Sequence, residues 1–189
     1  TFEITPQHLT LYAPDCYEKL GAYAQMNPPL RDKSHYDRLW YGVRNNLNDT
    51  IGSDHAPHLK VNKDKKYPNT PSGMPGVQTL MPVMLNHINE GKLSLTQLMK
   101  FVCENPVKIF GIKNKGFIKE GYDADFTIVD MNKIIEIKNE NIESKCKWSP
   151  FNGFKFKGAP VFTIVGGVIK MENGKILGDP NGSPLNFNN

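Results

Sequence analysis

The sequence predicts an α/β fold in which alternating strands and helices give way to a mostly β segment. Over the first 112 or so residues, short apolar runs of strand character alternate with segments whose apolar residues recur at helical spacing. From about Gly116 the apolar runs are strand-like and are separated by glycine-containing turns. We therefore divide the chain into residues 1–112, which combine strands and helices, and residues 113–189, which are mostly β and end in a polar tail.

Two strands are predicted in the first segment. Residues 1–5 alternate polar and apolar side chains until Pro6 ends the pattern. Residues 49–54 form a short buried strand that stops before Pro57. Prolines 28 and 29, between these strands, predict a rigid extended loop, because two consecutive prolines fit neither a helix interior nor a central strand.

Four helices are predicted in the same segment. Residues 15–20 form a short helix, and Ser34 caps a second one that ends near Asn45. A third is predicted from an apolar stripe at helical spacing. The stripe consists of Val77, Leu80, Met81, Met84, Leu85 and Ile88. A capping box at residues 94–97 begins the fourth helix, which Pro106 is expected to end.

Strands and tight turns are predicted in the second segment. Residues 126–129, 134–137 and 161–165 are rich in β-branched and aromatic side chains. Gly166-Gly167 and Asn173-Gly174 are dipeptides typical of two-residue hairpin turns. These signals predict antiparallel hairpins in this part of the chain.

Composition excludes several classes of protein. The 189 residues are 39% hydrophobic and 22% charged, which is typical of a globular chain with a core and not of a disordered one. No run approaches the roughly 18 apolar residues of a membrane span. The net charge of +4 comes from lysines spread along the chain, which argues against a nucleic-acid partner. One local cluster is predicted to be a solvated loop, with an electrostatic funnel for a small anion as the alternative. It contains Lys60, Lys63, Lys65 and Lys66.

Cysteine usage points to a reducing compartment. Cys16, Cys103 and Cys146 are odd in number and far apart in sequence, so neither a disulfide framework nor a thiolate zinc site is expected. We expect three ordinary thiols and a cytoplasmic location.

The candidate chemistry lies in residues 52–58, Gly-Ser-Asp-His-Ala-Pro-His. Asp54 follows a predicted strand, and carboxylates at the C-terminal ends of barrel strands are common active-site groups. Such a carboxylate could bind a divalent metal and accept a proton from water, and His58 could turn back toward the same site. The alternative is that Asp54 caps a turn and that His58 is a surface residue. The residue pattern alone leaves both interpretations open.

Three segments, taken in order, resemble the active-site loops of one enzyme family. They are residues 27–31 (Asn-Pro-Pro-Leu-Arg), residues 53–58 (Ser-Asp-His-Ala-Pro-His) and residues 71–76 (Pro-Ser-Gly-Met-Pro-Gly). These loops resemble those of dihydroorotases, which belong to the metal-dependent amidohydrolase superfamily. Residues 4–9 and 115–130 resemble flanking segments of the same family, so the likeness extends over essentially the whole chain.

The resemblance refines the predicted architecture. It implies that residues 1–112 are the C-terminal strands and helices of an incomplete (β/α)8 barrel of the TIM type, and that residues 113–189 are a small β domain with a C-terminal tail. A complete barrel of this type needs at least about 200 residues. We therefore expect the chain to be the C-terminal portion of a longer enzyme.

The resemblance also implies a role for each of five residues. Asp54 is implied to be a metal ligand and the catalytic proton shuttle. Asn27 and His58 are implied to bind the substrate through their side chains, and Ser72 and Gly73 through their backbone groups. No catalytic role is implied for the remaining histidines, which include His8 and His55. Two positions depart from the common pattern of the family, because Gln7 replaces a frequent second histidine and Ser72 replaces a bulkier residue.

The implied reaction is the reversible zinc-dependent cyclisation of N-carbamoyl-L-aspartate to L-dihydroorotate in pyrimidine biosynthesis. Two zinc ions would lower the pKa of a water that bridges them to near 7, so that it could attack the ring carbonyl as hydroxide. Asp54 would carry a proton to the leaving nitrogen. Only Asp54 matches a metal ligand of the family. The remaining metal ligands and a bridging lysine are expected upstream of Thr1. We expect the fragment to be inactive alone.

Two alternatives stay open. One is a related cyclic amidohydrolase, allantoinase or hydantoinase, in which a cysteine tends to stand at the position of Asn27 and no histidine corresponds to His58. The other is a non-catalytic dihydroorotase-like partner of aspartate transcarbamoylase. The expected partners are a small-molecule substrate and, by family resemblance, a second copy in a homodimer or aspartate transcarbamoylase. Neither a nucleic acid nor a membrane is an expected partner.

Overall fold

A pair of parallel strands opens the fold in the computed structural model, which describes residues 1–188. Strand β1 (Glu3–Ile4) lies beside strand β2 (Thr50–Ile51), with Ile4 opposite Ile51. Both strands are shorter than the segments predicted from sequence. Because parallel strands end at the same edge, the loops that follow β1 and β2 leave the sheet side by side.

The first half of the chain, as far as residue 110, contains six α-helices. They are α1 (Asp15–Leu20), α2 (Lys33–Arg44), α3 (Lys60–Lys63), α4 (Leu80–Asn89), α5 (Leu95–Met99) and α6 (Asn105–Phe110). Two 3-10 turns are also present, at Gly21–Ala24 and Asn139–Asn141. Within residues 1–188 no helix has the length and apolar content needed to cross a membrane.

Three helix boundaries differ from the predicted ones. Asp32 rather than Ser34 caps α2, since its carboxylate accepts the Ser34 N–H at 2.9 Å. Val77 precedes α4 and is 60% exposed, so it does not belong to the buried stripe. Pro106 does not end a helix but lies in the first turn of α6, where its missing N–H removes no helical hydrogen bond. A π-helical turn at Lys100–Glu104 links α5 to α6.

A four-stranded antiparallel sheet forms the second half of the fold. Its strands are β3 (Phe126–Glu136), β4 (Lys155–Val165), β5 (Val168–Glu172) and β6 (Lys175–Ile176), in that spatial order. Both predicted turns are confirmed: φ is 56° and 78° at Gly166-Gly167 and 49° and 86° at Asn173-Gly174, as two-residue hairpin turns with positive φ require. The segments predicted as separate strands at 126–129 and 134–137 form one strand with an irregular register after Asp130.

Helix α4 and strand β4 share one core. Gly158 of β4 has a φ of 103° and lies so close to α4 that an added Cβ would be 2.6 Å from the Leu85 Cβ. Asn89 Nδ2 donates to the backbone carbonyls of Met131 and Lys157, at 3.0 Å each. Buried residues of both segments, including Leu85 and Phe156, belong to a single hydrophobic cluster. The division at residues 112 and 113 into two domains stays a prediction.

Candidate active site

Asp54 lies in the loop that follows β2, at the edge where the parallel strands end. Its side chain is exposed and its φ of 42° falls in the left-handed region, which Asp tolerates better than most residues. The neighbouring Ser53 carbonyl accepts a hydrogen bond of 3.0 Å from Nε2 of the buried Gln7. The Asp54 loop is therefore attached to the segment that follows β1.

His8, for which no role was predicted, connects that same segment to the Asn27 loop. Its Nε2 donates to the Pro28 carbonyl at 3.0 Å, and its Nδ1 lies 2.8 Å from the Thr5 hydroxyl. Burial lowers the pKa of His8, while the bond to Pro28 and the charge of Asp54 oppose the shift. The ring is therefore neutral at pH 7, with Nδ1 accepting from Thr5, and it anchors the loop in which Asn27 is exposed.

His58, Ser72 and Gly73 are in direct contact. His58 Nε2 lies 2.9 Å from the Ser72 carbonyl oxygen. Since a carbonyl can only accept, the proton is on Nε2, and Nδ1 is left without a hydrogen-bond partner among residues 1–188. Gly73 has a φ of 127°, and an added Cβ would be 2.4 Å from the Ala56 Cβ. Only glycine fits this close approach of the two loops.

Gln25 joins the Asn27 loop to the Ser72–Gly73 loop. Its side-chain amide donates to the Ser72 hydroxyl at 3.1 Å, and its backbone carbonyl accepts from the Gly73 N–H at 2.9 Å. Asn27 follows two residues later. Three of the five predicted site residues therefore touch one another, and Asn27 is linked to them through Gln25. The Asp54 loop is linked to the Asn27 loop through the adjacent residues Gln7 and His8, which bond to the carbonyls of Ser53 and Pro28. The side chains of Asp54 and Asn27 have no hydrogen-bond partner in the described part of the chain.

His55 serves a structural purpose in the same loop. Its Nδ1 accepts from the backbone N–H groups of Gly76 and Val77, at 3.1 and 3.4 Å. The bonds attach the loop after β2 to the turn that leads into α4. His55 thus positions the loop of Asp54 and His58 while its own Nδ1 is occupied by the protein.

Lys63 corrects the prediction of a solvated lysine loop. Lys60, Lys65 and Lys66 are exposed, but Lys63 has 0% exposure. Burial lowers the pKa of its ammonium group to about 8. Sequence reasoning missed this residue because a charge run predicts solvation, and its partners lie in distant loops.

Trp148 was also missed by sequence reasoning. It belongs to the segment between β3 and β4, is 2% exposed, and donates from Nε1 to the His58 carbonyl at 2.7 Å. A lone tryptophan in a polar stretch gives no signal of this contact. The segment after β3 thus supports the loop that carries His58.

The described residues do not form a metal site by themselves. In residues 1–188 no three His, Cys, Asp or Glu side chains come close enough to hold an ion. Asp54 offers one hard oxygen ligand, and a single carboxylate does not hold a metal centre. All three cysteines are free thiols, and burial raises the pKa of Cys16 and Cys103.

Among the cavities within residues 1–188, two border the loops of the candidate site. The larger, of about 520 Å³, lies between the turn before α4 and the antiparallel sheet and includes His55 and Trp148 but none of the five predicted site residues. The smaller, of about 410 Å³, is lined by His8, Pro28 and Arg31 among others. The larger cavity is mostly apolar, and neither cavity is lined by Asp54.

Comparison with known proteins identifies the class. Residues 13–170 match the model of the amidohydrolase family, and the chain therefore belongs to that family. Among curated proteins, the chain is 40% identical to the dihydroorotase of Pyrococcus furiosus over 185 residues, which cover 98% of this chain and 42% of the relative. This finding confirms the resemblance to dihydroorotases inferred from the three loops.

Hydantoinases are similar as well. The L-hydantoinase of Paenarthrobacter aurescens is 38% identical over 180 residues, covering 93% of this chain and 39% of the relative. The solved structure of L-hydantoinase (dihydropyrimidinase) from Arthrobacter aurescens superposes with a TM-score of 0.90 at 37% identity, covering 94% of this chain and 40% of that one. The chain thus spans between 39% and 42% of the length of these relatives.

Proposed function

We propose that the complete protein is a dihydroorotase, a cyclic amide hydrolase that interconverts N-carbamoyl-L-aspartate and L-dihydroorotate. The observation that carries the proposal is the packing of the three family-like loops, which brings His58, Ser72 and Gly73 into contact and links them to the Asn27 loop through Gln25. The dihydroorotase relatives, such as that of Pyrococcus furiosus, match the chain over nearly its whole length.

In this proposal Asp54 transfers the proton, and His58 and Asn27 bind the substrate. Asp54 is exposed at the strand edge, so its carboxylate can take a proton from the attacking water and return it to the departing ring nitrogen. His58 donates its Nε2–H to the Ser72 carbonyl, which leaves Nδ1 as the ring nitrogen available to the substrate. The Asn27 amide can donate to and accept from the amide groups of the substrate ring.

A divalent metal is part of the proposal, with two zinc ions as the form implied by the resemblance. When bound, such ions supply Lewis-acid activation of water and of the scissile carbonyl. Asp54 is the one residue of this chain proposed as a ligand, so the remaining ligands must come from outside residues 1–188.

Hydantoinase activity is the second candidate, because an L-hydantoinase superposes closely with this chain. Substrate choice separates the two. The protein expressed from its complete reading frame is expected to hydrolyse dihydroorotate faster than hydantoin, dihydrouracil or allantoin. Preference for any of the other three rings would contradict the dihydroorotase proposal.

A second experiment tests Asp54. We expect Asp54→Asn to lower kcat by roughly a thousandfold, because general acid–base groups contribute about 10²–10⁴ in rate. Asp37→Asn is the matched control, since Asp37 is an exposed carboxylate in α2 whose one ion pair within residues 1–188 is with Lys33. Equal activity of both variants would remove Asp54 from the mechanism. Residues 1–189 alone are expected to show no zinc-dependent turnover.

The finer features of the architecture are part of the same proposal. We propose that residues 1–112 contribute strands to a (β/α)8 barrel and that residues 113–189 form a small β domain. The parallel pairing of β1 with β2 and the superposition on a solved hydantoinase support the first statement, and the four-stranded antiparallel sheet supports the second. The cytoplasmic location, the homodimer and the association with aspartate transcarbamoylase stay predictions.

A further inference from the structure

Lys63 is a fully buried cation whose hydrogen bonds all go to backbone carbonyls. Its Nζ donates to Pro71 O at 2.9 Å, to Gly73 O at 3.1 Å and to Gln25 O at 3.3 Å. No carboxylate within residues 1–188 forms an ion pair with it. A buried ammonium is costly unless its donors are satisfied, and here three carbonyl oxygens match its three N–H groups.

The three carbonyls belong to the two loops proposed to bind the substrate. Gln25 lies two residues before Asn27, and Pro71 and Gly73 flank Ser72. The Gln25 carbonyl accepts from both Lys63 and the Gly73 N–H, at 3.3 and 2.9 Å. The ammonium therefore lies at the junction of the loops and bridges backbone atoms that are far apart in sequence.

A third loop reaches the same ammonium through an aromatic ring. Lys63 Nζ lies 5.7 Å from the centre of the Trp148 ring, within the range of a cation–π contact. The indole N–H of Trp148 donates to the His58 carbonyl at 2.7 Å. The loop of His58 is thus held by a side chain that packs on Lys63.

We propose that Lys63 is a positioning residue that sets the relative placement of Asn27, His58 and Ser72–Gly73, and that it thereby determines the affinity for the cyclic substrate. The proposal deepens the proposed function and rests on it. Lys63 does not touch the reacting atoms. Its effect is to hold three binding loops at fixed separations, which matters because binding groups held in place beforehand contribute more to the affinity for a ligand.

The test compares Lys63→Met with Lys60→Met in the protein expressed from its complete reading frame. Methionine is unbranched and only one atom shorter than lysine, so it fills most of the buried space and removes the donors, whereas Lys60 is an exposed residue of the same helix. For Lys63→Met we expect KM for dihydroorotate to rise about tenfold or more, with kcat within about threefold of the parent. The Lys60→Met enzyme should match the parent in both constants.

A second measurement does not depend on activity. Hydrogen exchange of the Gly73 amide, which is bonded to Gln25 O, should be faster in Lys63→Met and unchanged in Lys60→Met. Unchanged exchange together with an unchanged KM would overturn the proposal. If the parent enzyme does not turn over dihydroorotate, the proposed function fails, while the exchange result still decides whether Lys63 holds the loops.

The conservative variant completes the design. Lys63→Arg keeps a cation with several donors, so it should recover part of the affinity that Lys63→Met loses. If Lys63→Met does not fold, Lys63→Arg takes its place, and a raised KM with kcat preserved then supports the proposal. Failure of both variants to fold would make Lys63 a determinant of folding and would overturn the specific role in positioning.

Discussion

His87 of α4 is expected to make the stability of the fold depend on pH. The side chain is 3% exposed and its ring packs edge-on against Trp40, with centroids 4.9 Å apart. Thr10 donates its hydroxyl proton to Pro6 O, so its oxygen accepts from His87 Nε2 at 2.9 Å. Lys92 lies 3.4 Å from Nδ1 and can donate to it. The contacts with Thr10 and Lys92 suit a neutral imidazole, whereas the Glu90 carboxylate, 3.2 Å from Nδ1, favours the protonated ring.

The size of the effect follows from the pKa of His87. Burial, together with the charge of Lys92, lowers it from 6.5 to about 4, although Glu90 opposes the shift. Because the folded pKa is depressed, the unfolded state binds more protons between these values, and stability is lost as the pH falls below 6.5. From pH 7 to pH 5 the free energy of unfolding should fall by about 2 kcal/mol through this residue alone.

Chemical denaturation at pH 7, 6 and 5 measures the effect. Between pH 7 and pH 5 the free energy of unfolding of the parent should fall by about 2 kcal/mol more than that of His87→Gln, which cannot titrate in this range. This extra loss should grow steadily as the pH falls. His35→Gln is the matched control because His35 is an exposed helical histidine. A constant difference between parent and His87→Gln from pH 7 to 5 would refute the neutral buried state.

Three further changes test the packing and the helix ends, each by chemical denaturation of the otherwise unchanged protein. Gly158→Ala should cost about 3 kcal/mol, since its Cβ would lie 2.6 Å from the Leu85 Cβ and φ is 103°; a neutral result would mean that α4 and β4 are farther apart. Gly42→Ala, within α2 and with open space around it, should instead raise stability by about 1 kcal/mol, and a loss would contradict a helical Gly42. Ser94→Ala should cost about 1 kcal/mol, because the Ser94 hydroxyl accepts the Gln97 N–H at 3.1 Å, whereas the exposed Ser34→Ala, outside the N-cap of α2, should cost less.

Features governed by local conformation were predictable from sequence. The turns at residues 166–167 and 173–174 were predicted because only a few dipeptides adopt positive φ at both positions. The capping box at residues 94–97 was predicted because its two hydrogen bonds span only three residues. The buried stripe of α4 was predicted because its apolar residues recur at helical spacing within one short segment. Val77 was misplaced because this spacing does not mark the residue at which a helix begins.

Features that depend on distant contacts were not predictable. Lys63 is buried because carbonyls 8, 10 and 38 residues away converge on it, and nothing in the lysine cluster separates it from Lys60. His8 was set aside because a lone histidine is uninformative until Pro28 is placed 3.0 Å from its ring. Asp54 and His58 were candidates from their position after a predicted strand, whereas Asn27, Ser72 and Gly73 were found through resemblance to a family. The structure adds the hydrogen bonds that hold these loops.

The bond between Trp148 and His58 gives the protein a built-in optical probe. The chain has two tryptophans, and the other one, Trp40, is buried beside His87 in the helical part. Within residues 1–189, a Trp40→Phe variant would leave Trp148 as the single indole fluorophore, with its N–H on the backbone of the loop that carries His58 and its ring against Lys63. Any rearrangement of these loops on ligand binding changes the polarity around that indole, so its emission wavelength would report loop movement without a dye, a label or a coupled assay.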